Sequence, residues 1–198
     1  MDVQALGCDF LICSAYKFYG PHIGILYSRT GLLDRLRPDR LRTAYQHAPY
    51  SIETGTLNHA AIAGVKAGID FIASIGKGRT LRTKLVNAMH RIHEHEIGLL
   101  KQLYDGLASL KKVTIHGQPA DVAHRAPTLS FSFKGKTAAQ VCEYLAQHNI
   151  CAWSGHFYAI RATEVLGLLE QGGVTRMGIS VYNVEKEIDR TLEVMGKV

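Results

Sequence analysis

Apolar and polar positions follow two rhythms along this chain. Short apolar runs from Phe10 to Ser14 and from His22 to Tyr27 flank Gly20-Pro21, a pattern that predicts strand, turn, strand. Arg29 to Arg37 predicts a short helix that stops before Pro38, because a residue preceding proline is pushed out of helical geometry. From Asp39 to Thr56 the periodicity fades, and Pro49 and Gly55 mark an extended loop. Loops of that length in compact domains are often functional.

Helical spacing resumes from Leu57 to Ile75, with Ile62, Val65, Ile69 and Ile72 on one side and Gly76-Lys77-Gly78 as punctuation. A long helix is expected from Thr80 to about Leu110, carrying Leu81, Leu85, Ala88, Ile92, Leu99, Leu103 and Leu107. Strands then alternate with helices: strands Val113 to His116 and Thr128 to Phe133, helix Ala138 to His148, strand Ile150 to Trp153. A short helix at Thr163 to Leu169, a strand at Thr175 to Val181 and a terminal helix at Val184 to Met195 complete the order. Such alternation implies a layered α/β fold, with a boundary near Gly76 that separates 1–75 from 76–198.

Composition narrows the function classes. With 46% hydrophobic residues in 198, a packed core is expected rather than disorder. The net charge of +6 is spread out, with small clusters at Arg35-Leu36-Arg37 and Arg40-Leu41-Arg42, and so reads as a solvated surface. Neither nucleic acid nor membrane is expected as a partner, and no apolar stretch is long enough to cross a bilayer. Cys8, Cys13, Cys142 and Cys151 lack C-x-x-C spacing and lie in apolar contexts, so they read as reduced, buried thiols of a cytoplasmic protein. Met1-Asp2 is followed by mixed residues, and no signal peptide is expected.

Three short motifs dissolve on inspection. Ser14-Ala15-Tyr16-Lys17 fits S-x-x-K, but that chemistry needs a helix and the S-D-N and K-T-G motifs, which the sequence lacks. Gly135-Lys136-Thr137 has the tail of a P-loop, yet position 130 is serine where a glycine is required, so a surface turn before a helix is expected. His90, His93 and Glu94 share a helix face beside His95, but neither zinc-protease spacing occurs, and a solvated polar face is expected rather than a metal site.

Lys17 is different. A charged residue at the end of an apolar run either reaches water along its stem or is wanted for its amine. A lysine attacks an aldehyde only when neutral, a form that a dry pocket favours. Ser14, three residues back, offers a hydroxyl to an anion near the same strand end.

The longer string is more specific. DVQALGCDF at 2–10, followed by SAYKFYGPHIG at 14–24, resembles the cofactor-lysine segment of class V aminotransferases, and within them the cysteine desulfurase-like group. ETGTLN at 53–58, WSGHFYA at 153–159, and Arg176 to Asn183 with Glu187 and Asp189 agree in the same order. The similarity covers essentially the whole chain and corresponds to the C-terminal half of such enzymes.

The resemblance implies an aspartate aminotransferase-like fold of pyridoxal 5'-phosphate (PLP) enzymes. Residues 1–75 would form the C-terminal part of the PLP-binding large domain, and 76–198 a linking helix with a small α/β domain. It implies PLP held as a Schiff base on Lys17, which later moves the proton at the substrate's α-carbon. Ser14 would contact the phosphate, and the Tyr16 hydroxyl would donate where many desulfurases have a histidine. Gly55 and Thr56 resemble a turn that reaches across a homodimer to the partner's phosphate. The implied substrate is an amino acid, with Arg176 as carboxylate anchor and His156 and Tyr158 in the substrate-binding segment. C–S cleavage, transamination and epimerisation all stay open.

Departures from the pattern bear on the reaction. Trp153 stands where desulfurases carry a carboxylate-binding arginine, and Tyr158 where they carry the sulfur-accepting cysteine. Cys151 lies nearby but reads as a core residue. No thiolate is then evident to accept sulfur. The family's N-terminal half supplies the aspartate that pairs with the pyridine nitrogen, and Asp2 and Asp9 lie beyond its expected place. A catalytically incomplete fragment, or a non-enzymatic interaction domain, is therefore the alternative expectation.

Overall fold

The computed structural model describes residues 1–122 and 125–198. The chain divides into two compact units, residues 1–89 and 90–198, and the division falls inside the long helix.

The first unit opens with α1, Val3–Leu6, whose N-cap Asp2 accepts hydrogen bonds from the Gln4 and Ala5 amides. Strand β1, Phe10–Ser14, pairs antiparallel with β2, Gly24–Ser28, in a register that sets Ile12 opposite Leu26 and Ser14 opposite Gly24. β2 thus begins at Gly24 rather than His22, because Pro21 and His22 belong to the turn. The helix expected over Arg29 to Arg37 is reduced to a 3-10 turn at Leu33–Arg35. Gly31 in the left-handed region (φ 80°) interrupts it, and Arg29 is engaged with Asp9 and the Gly7 carbonyl instead. Residues 36–58 contain neither helix nor strand, so the loop expected over Asp39 to Thr56 is present and slightly longer.

Helix α2, His59–Ile75, starts at Asn58, whose side chain accepts from the Ala61 amide. Its glycines seat the turn that follows Lys17. A Cβ at Gly64 would lie 3.1 Å from Pro21 Cγ, and one at Gly68 would lie 3.1 Å from the Tyr19 carbonyl oxygen. Tyr19 also meets Phe71 edge-on at 5.4 Å. The i, i+4 spacing of the two glycines puts both on one face, where the turn backbone comes close. Helix α3, Leu81–Ala108, follows and carries the chain into the second unit.

The second unit holds a four-stranded antiparallel sheet of β3 (Val113–His116), β4 (Thr128–Phe133), β5 (Trp153–Gly155) and β6 (Val174–Gly178), in the order β3-β4-β6-β5. β4 shows why the sheet forms: Leu129, Phe131 and Phe133 are buried while Thr128, Ser130 and Ser132 are not. That period of two puts an apolar face on the core and leaves a polar face. The core joins Leu99, Leu100, Leu103 and Leu107 of α3 to Val141 and Leu145 of α4 (Ala138–Gln147) and to Ile188, Val194 and Met195 of α6 (Glu185–Met195).

Local chemistry sets the ends of these elements. Gly135 takes φ 84° in the turn before α4, and Thr137 and Gln140 exchange side chain–backbone hydrogen bonds as a capping box. Asn149 (φ 56°) closes α4 in left-handed geometry, with Ile150 N–H donating to the Leu145 carbonyl. That spends Ile150 on the helix end, so β5 begins at Trp153, later than the run from Ile150 suggested. The helix expected at Thr163 to Leu169 divides into α5, Ile160–Val165, and a 3-10 turn at Leu169–Gln171, with Gly167 (φ 69°) between them. β6 ends at Gly178, short of Val181; the Asn183 side chain accepts from the Ser180 amide and turns the chain toward α6.

All four cysteines are free, but Cys13 and Cys151 are exposed and Cys8 and Cys142 only half-buried. The expectation of buried thiols, and of Cys151 as a core residue, is corrected accordingly. An apolar sequence context does not bury a side chain whose face no other element covers. Among the described residues no helix is long and apolar enough to cross a membrane.

Candidate functional site

Lys17 lies in a 3-10 turn, Ala15–Phe18, at the end of β1. Fully buried Ala15 anchors the turn, and the Gly20 N–H donates back to the Ala15 carbonyl at 2.9 Å. Tyr19 adopts φ 66°, an uncommon geometry for a non-glycine residue, and is held against α2 as described above. The Lys17 amine is exposed, makes no ion pair among the described residues, and sits 5.8 Å from the centre of the Tyr16 ring. The dry pocket expected around it is not supplied by residues 1–89, whose surface leaves the amine open.

Ser14 precedes the turn, and its side chain makes no capping bond. Tyr16 is half exposed and stacks flat on His22, with ring centroids 5.0 Å apart and planes 7° from parallel. Three of the expected residues, Ser14, Tyr16 and Lys17, are therefore brought together by one hairpin. His22 was not singled out from the sequence; its signal was available in the hairpin register, which sets it opposite Tyr16.

Gly55 takes φ 76° in open surroundings, a geometry that suits glycine, and Thr56 is exposed beside it. Among the described residues, no hydrogen bond or ion pair ties either one to the Lys17 turn. The nearby carboxylates have other work. Asp2 caps α1 and pairs with Arg82, and Asp9 pairs with Arg29 at 3.2 Å.

Arg176, His156 and Tyr158 belong to the second unit. Arg176 lies on β6 opposite Ser130 of β4 and Trp153 of β5, and His116 lies opposite Ser130 in turn. Directly opposed residues share a face, so this row crosses the polar side of the sheet. His116 Nε2 is 2.9 Å from the Ser132 hydroxyl, and partial burial lowers the His116 pKa from its ordinary value. The Arg176 guanidinium lies 3.9 Å from the centre of the Phe157 ring. Stacking on an aromatic face leaves the guanidinium edge free to grip a carboxylate with two parallel hydrogen bonds. Phe157 is a residue that sequence reasoning passed over.

Phe157 and Tyr158 take φ 51° and 63°, two consecutive left-handed non-glycine residues after Gly155 (φ 132°). The turn is held by the Ala159 N–H donating to the His156 carbonyl and the Tyr158 N–H donating to His156 Nδ1. Tyr158 is 98% exposed and Trp153 72%, so both aromatic replacements present their rings on the surface of this unit.

These side chains fit part of a PLP site. An unpaired amine and adjoining hydroxyl and imidazole donors are a suitable set for an aldehyde that carries a phosphate, and residues 14–28 contain no carboxylate to oppose the anion. Residues 1–89 offer neither a free carboxylate beside Lys17 for the ring nitrogen nor a dry pocket around the amine.

The sequence profile of the aminotransferase class-V family matches residues 1–191. The chain is 29% identical over 203 aligned positions to a cysteine desulfurase of Yersinia pseudotuberculosis, covering 96% of this chain and 45% of that protein. The apo structure of a cysteine desulfurase from Thermococcus onnurineus superposes with a TM-score of 0.78 at 29% identity, covering 98% of this chain and 48% of the other. The cysteine desulfurase CsdA from Escherichia coli, in its S-sulfonic acid form, shares the fold with a TM-score of 0.79 at 24% identity, covering 99% of this chain and 47% of that one. The chain spans about half the length of the curated relatives it matches. Profile, shared fold and the string at 14–24 agree, and the chain belongs to the aminotransferase class-V family, in its cysteine desulfurase-like branch.

Proposed function

We propose that this chain carries the lysine-bearing half of a PLP-dependent site that acts on an amino acid. The observation that carries the reading is the Lys17 amine, presented without an ion pair among the described residues in the turn that follows Ser14 and β1, 5.8 Å from the centre of the Tyr16 ring. Lys17 would hold the aldehyde carbon of PLP, and Ser14 and Tyr16 would donate to its phosphate. Bound PLP supplies an electron sink for charge developing at the substrate's α-carbon. The Lys17 Nζ would also be the base that takes the α-proton. Arg176, whose guanidinium lies over the Phe157 ring, would bind the substrate carboxylate, with His156 and Tyr158 bordering the substrate.

Tyr158 in place of a sulfur-accepting thiolate turns the reading away from sulfur transfer, and the exposed Cys151 is the thiol that would reopen it. Aminotransferase-type, lyase-type or epimerase-type handling of the α-carbon fits the residues present. The rest of the site would come from outside this chain's own surface, with Gly55 and Thr56 facing the phosphate of a second copy in a homodimer. Apolar side chains left open on the first unit, among them Ile12 at 77% exposure and Phe10 at 45%, support completion by further protein surface.

The test is to mix the purified protein with PLP, follow the cofactor's absorption, reduce with borohydride and map the labelled peptide. A shift away from the free-aldehyde spectrum and a pyridoxyl label on Lys17, both lost in Lys17→Ala, are expected. A spectrum that stays that of free PLP, with no label, favours the non-enzymatic alternative, which the exposed setting of Lys17 keeps in play.

A further inference from the structure

We propose that His22 is a ligand of the cofactor's phosphate, acting with Ser14 and Tyr16. The proposal rests on the reading of Lys17 given above and adds a binding residue to it.

The argument begins with register. Phe10 to Ser14 pair with Ser28 to Gly24 in antiparallel order, and the Ala15 N–H continues the ladder to the Ile23 carbonyl at 2.9 Å. The next opposed pair in that register is Tyr16 and His22, and their rings are indeed stacked. The hairpin therefore delivers an imidazole to the strand end from which Lys17 projects.

Stacking fixes the plane of the imidazole, and its nitrogens lie on the edge of that plane. Neither nitrogen has a hydrogen-bond partner among the described residues, and the ring is exposed. Gly24, opposite Ser14, has open space where a side chain would stand, so nothing from β2 covers the Ser14 hydroxyl. Ser14, Tyr16 and His22 are thus set at one strand end beside a bare glycine, with Lys17 in the same turn and no carboxylate in residues 14–28. A phosphate monoester takes hydrogen bonds on three oxygens, and charge-assisted donors bind it best. An exposed ring that touches only one other ring contributes little to folding, which leaves ligand binding as the use for its nitrogens.

The test separates the phosphate from the rest of the cofactor by comparing PLP with pyridoxal, which lacks it. His22→Phe keeps a flat ring on Tyr16 and removes both nitrogens, and His22→Gln restores a donor. His22→Phe should weaken PLP binding by about tenfold or more and leave pyridoxal within about twofold, with partial recovery of PLP in His22→Gln. Binding is read from the absorption titration and from borohydride trapping on Lys17, with circular dichroism to confirm folding. Equal weakening of both ligands, or of neither, overturns the role of His22 alone. A parent protein that traps neither ligand on Lys17 overturns the reading of Lys17, and the His22 proposal with it.

Discussion

Ile12 and Phe131 each sit mid-strand in an apolar run, yet Ile12 is 77% exposed and Phe131 is completely buried. The two residues summarise their units. In residues 90–198, α3, α4 and α6 bring leucines, valines and methionine onto one face of a four-stranded sheet, and a continuous core results. In residues 1–89 the sheet has two strands, and the buried apolar residues are Ala15, Ala61, Ile72, Ala73 and Ala88. A two-stranded hairpin is marginal by itself. Here it is steadied by close backbone packing, with Gly64 and Gly68 of α2 seating the turn after Lys17. The lysine thus belongs to the unit with the slighter core, and its position depends on a few close contacts rather than on bulk burial.

The largest effect sharpens this contrast. Phe131→Ala should destabilise the second unit by about 3–5 kcal/mol, because it opens a cavity in a packed core. Ile12→Ser should change stability by less than about 0.5 kcal/mol, as expected of a surface position. Trp153, the single tryptophan, lies in the second unit, so denaturation followed by its fluorescence reads the first variant there, and amide exchange in β1 reads the second. A large loss from Ile12→Ser would break the comparison by showing that Ile12 is covered in solution, the outcome expected where further protein surface completes the site.

Gly20→Ala should be intermediate and local. Its Cβ would lie 2.9 Å from both the Cβ and the carbonyl oxygen of Ala15, so the turn must shift, at a cost of about 1–3 kcal/mol to the first unit. Faster amide exchange at Ala15 and Gly20, with an unchanged tryptophan transition, is the expected outcome. A parallel loss in the second unit would show that the two do not unfold separately.

The smallest effect is acidic, and it is alike in both units. The Asp2 carboxyl is held below its usual pKa by the Ala5 and Gln4 amides, with help from Arg82. Glu187 is lowered by the Asn183 side chain and the Val184 amide. Each contribution is complete above the unfolded carboxyl value of about 4 and disappears as pH falls through the lower folded value. Between about pH 5 and pH 2, α1 and α6 should fray modestly at their first turns, seen as amide exchange at Gln4, Ala5 and Val184. Fraying at only one helix would contradict this account.

Much of the second unit was legible in the sequence. β3 and β4 fall where the sequence pattern placed them, because a half-covered sheet imposes a period of two that residue spacing displays, most plainly in β4. β5 and α5 moved because left-handed residues, Asn149 and Gly167, set their ends, and positive φ at asparagine is not announced by hydrophobic pattern. In the candidate site, Ser14, Tyr16 and Lys17 were legible through the family string. His22 and Phe157 were not, since each acts by stacking on a residue from a neighbouring strand or turn. The thiols were misread for a related reason: Cys13 and Cys151 lie in apolar runs whose outward face nothing covers.

By itself the sequence determined most of the order of strands and helices and the family, and it singled out Lys17 as the candidate, because these depend on residue type and spacing along the chain. Tertiary structure alone decided which apolar faces are covered, how α2 seats the Lys17 turn, and that Tyr16 meets His22 and Arg176 meets Phe157. Those outcomes depend on which surfaces approach across the fold, and distance in space is a quantity that local spacing does not encode.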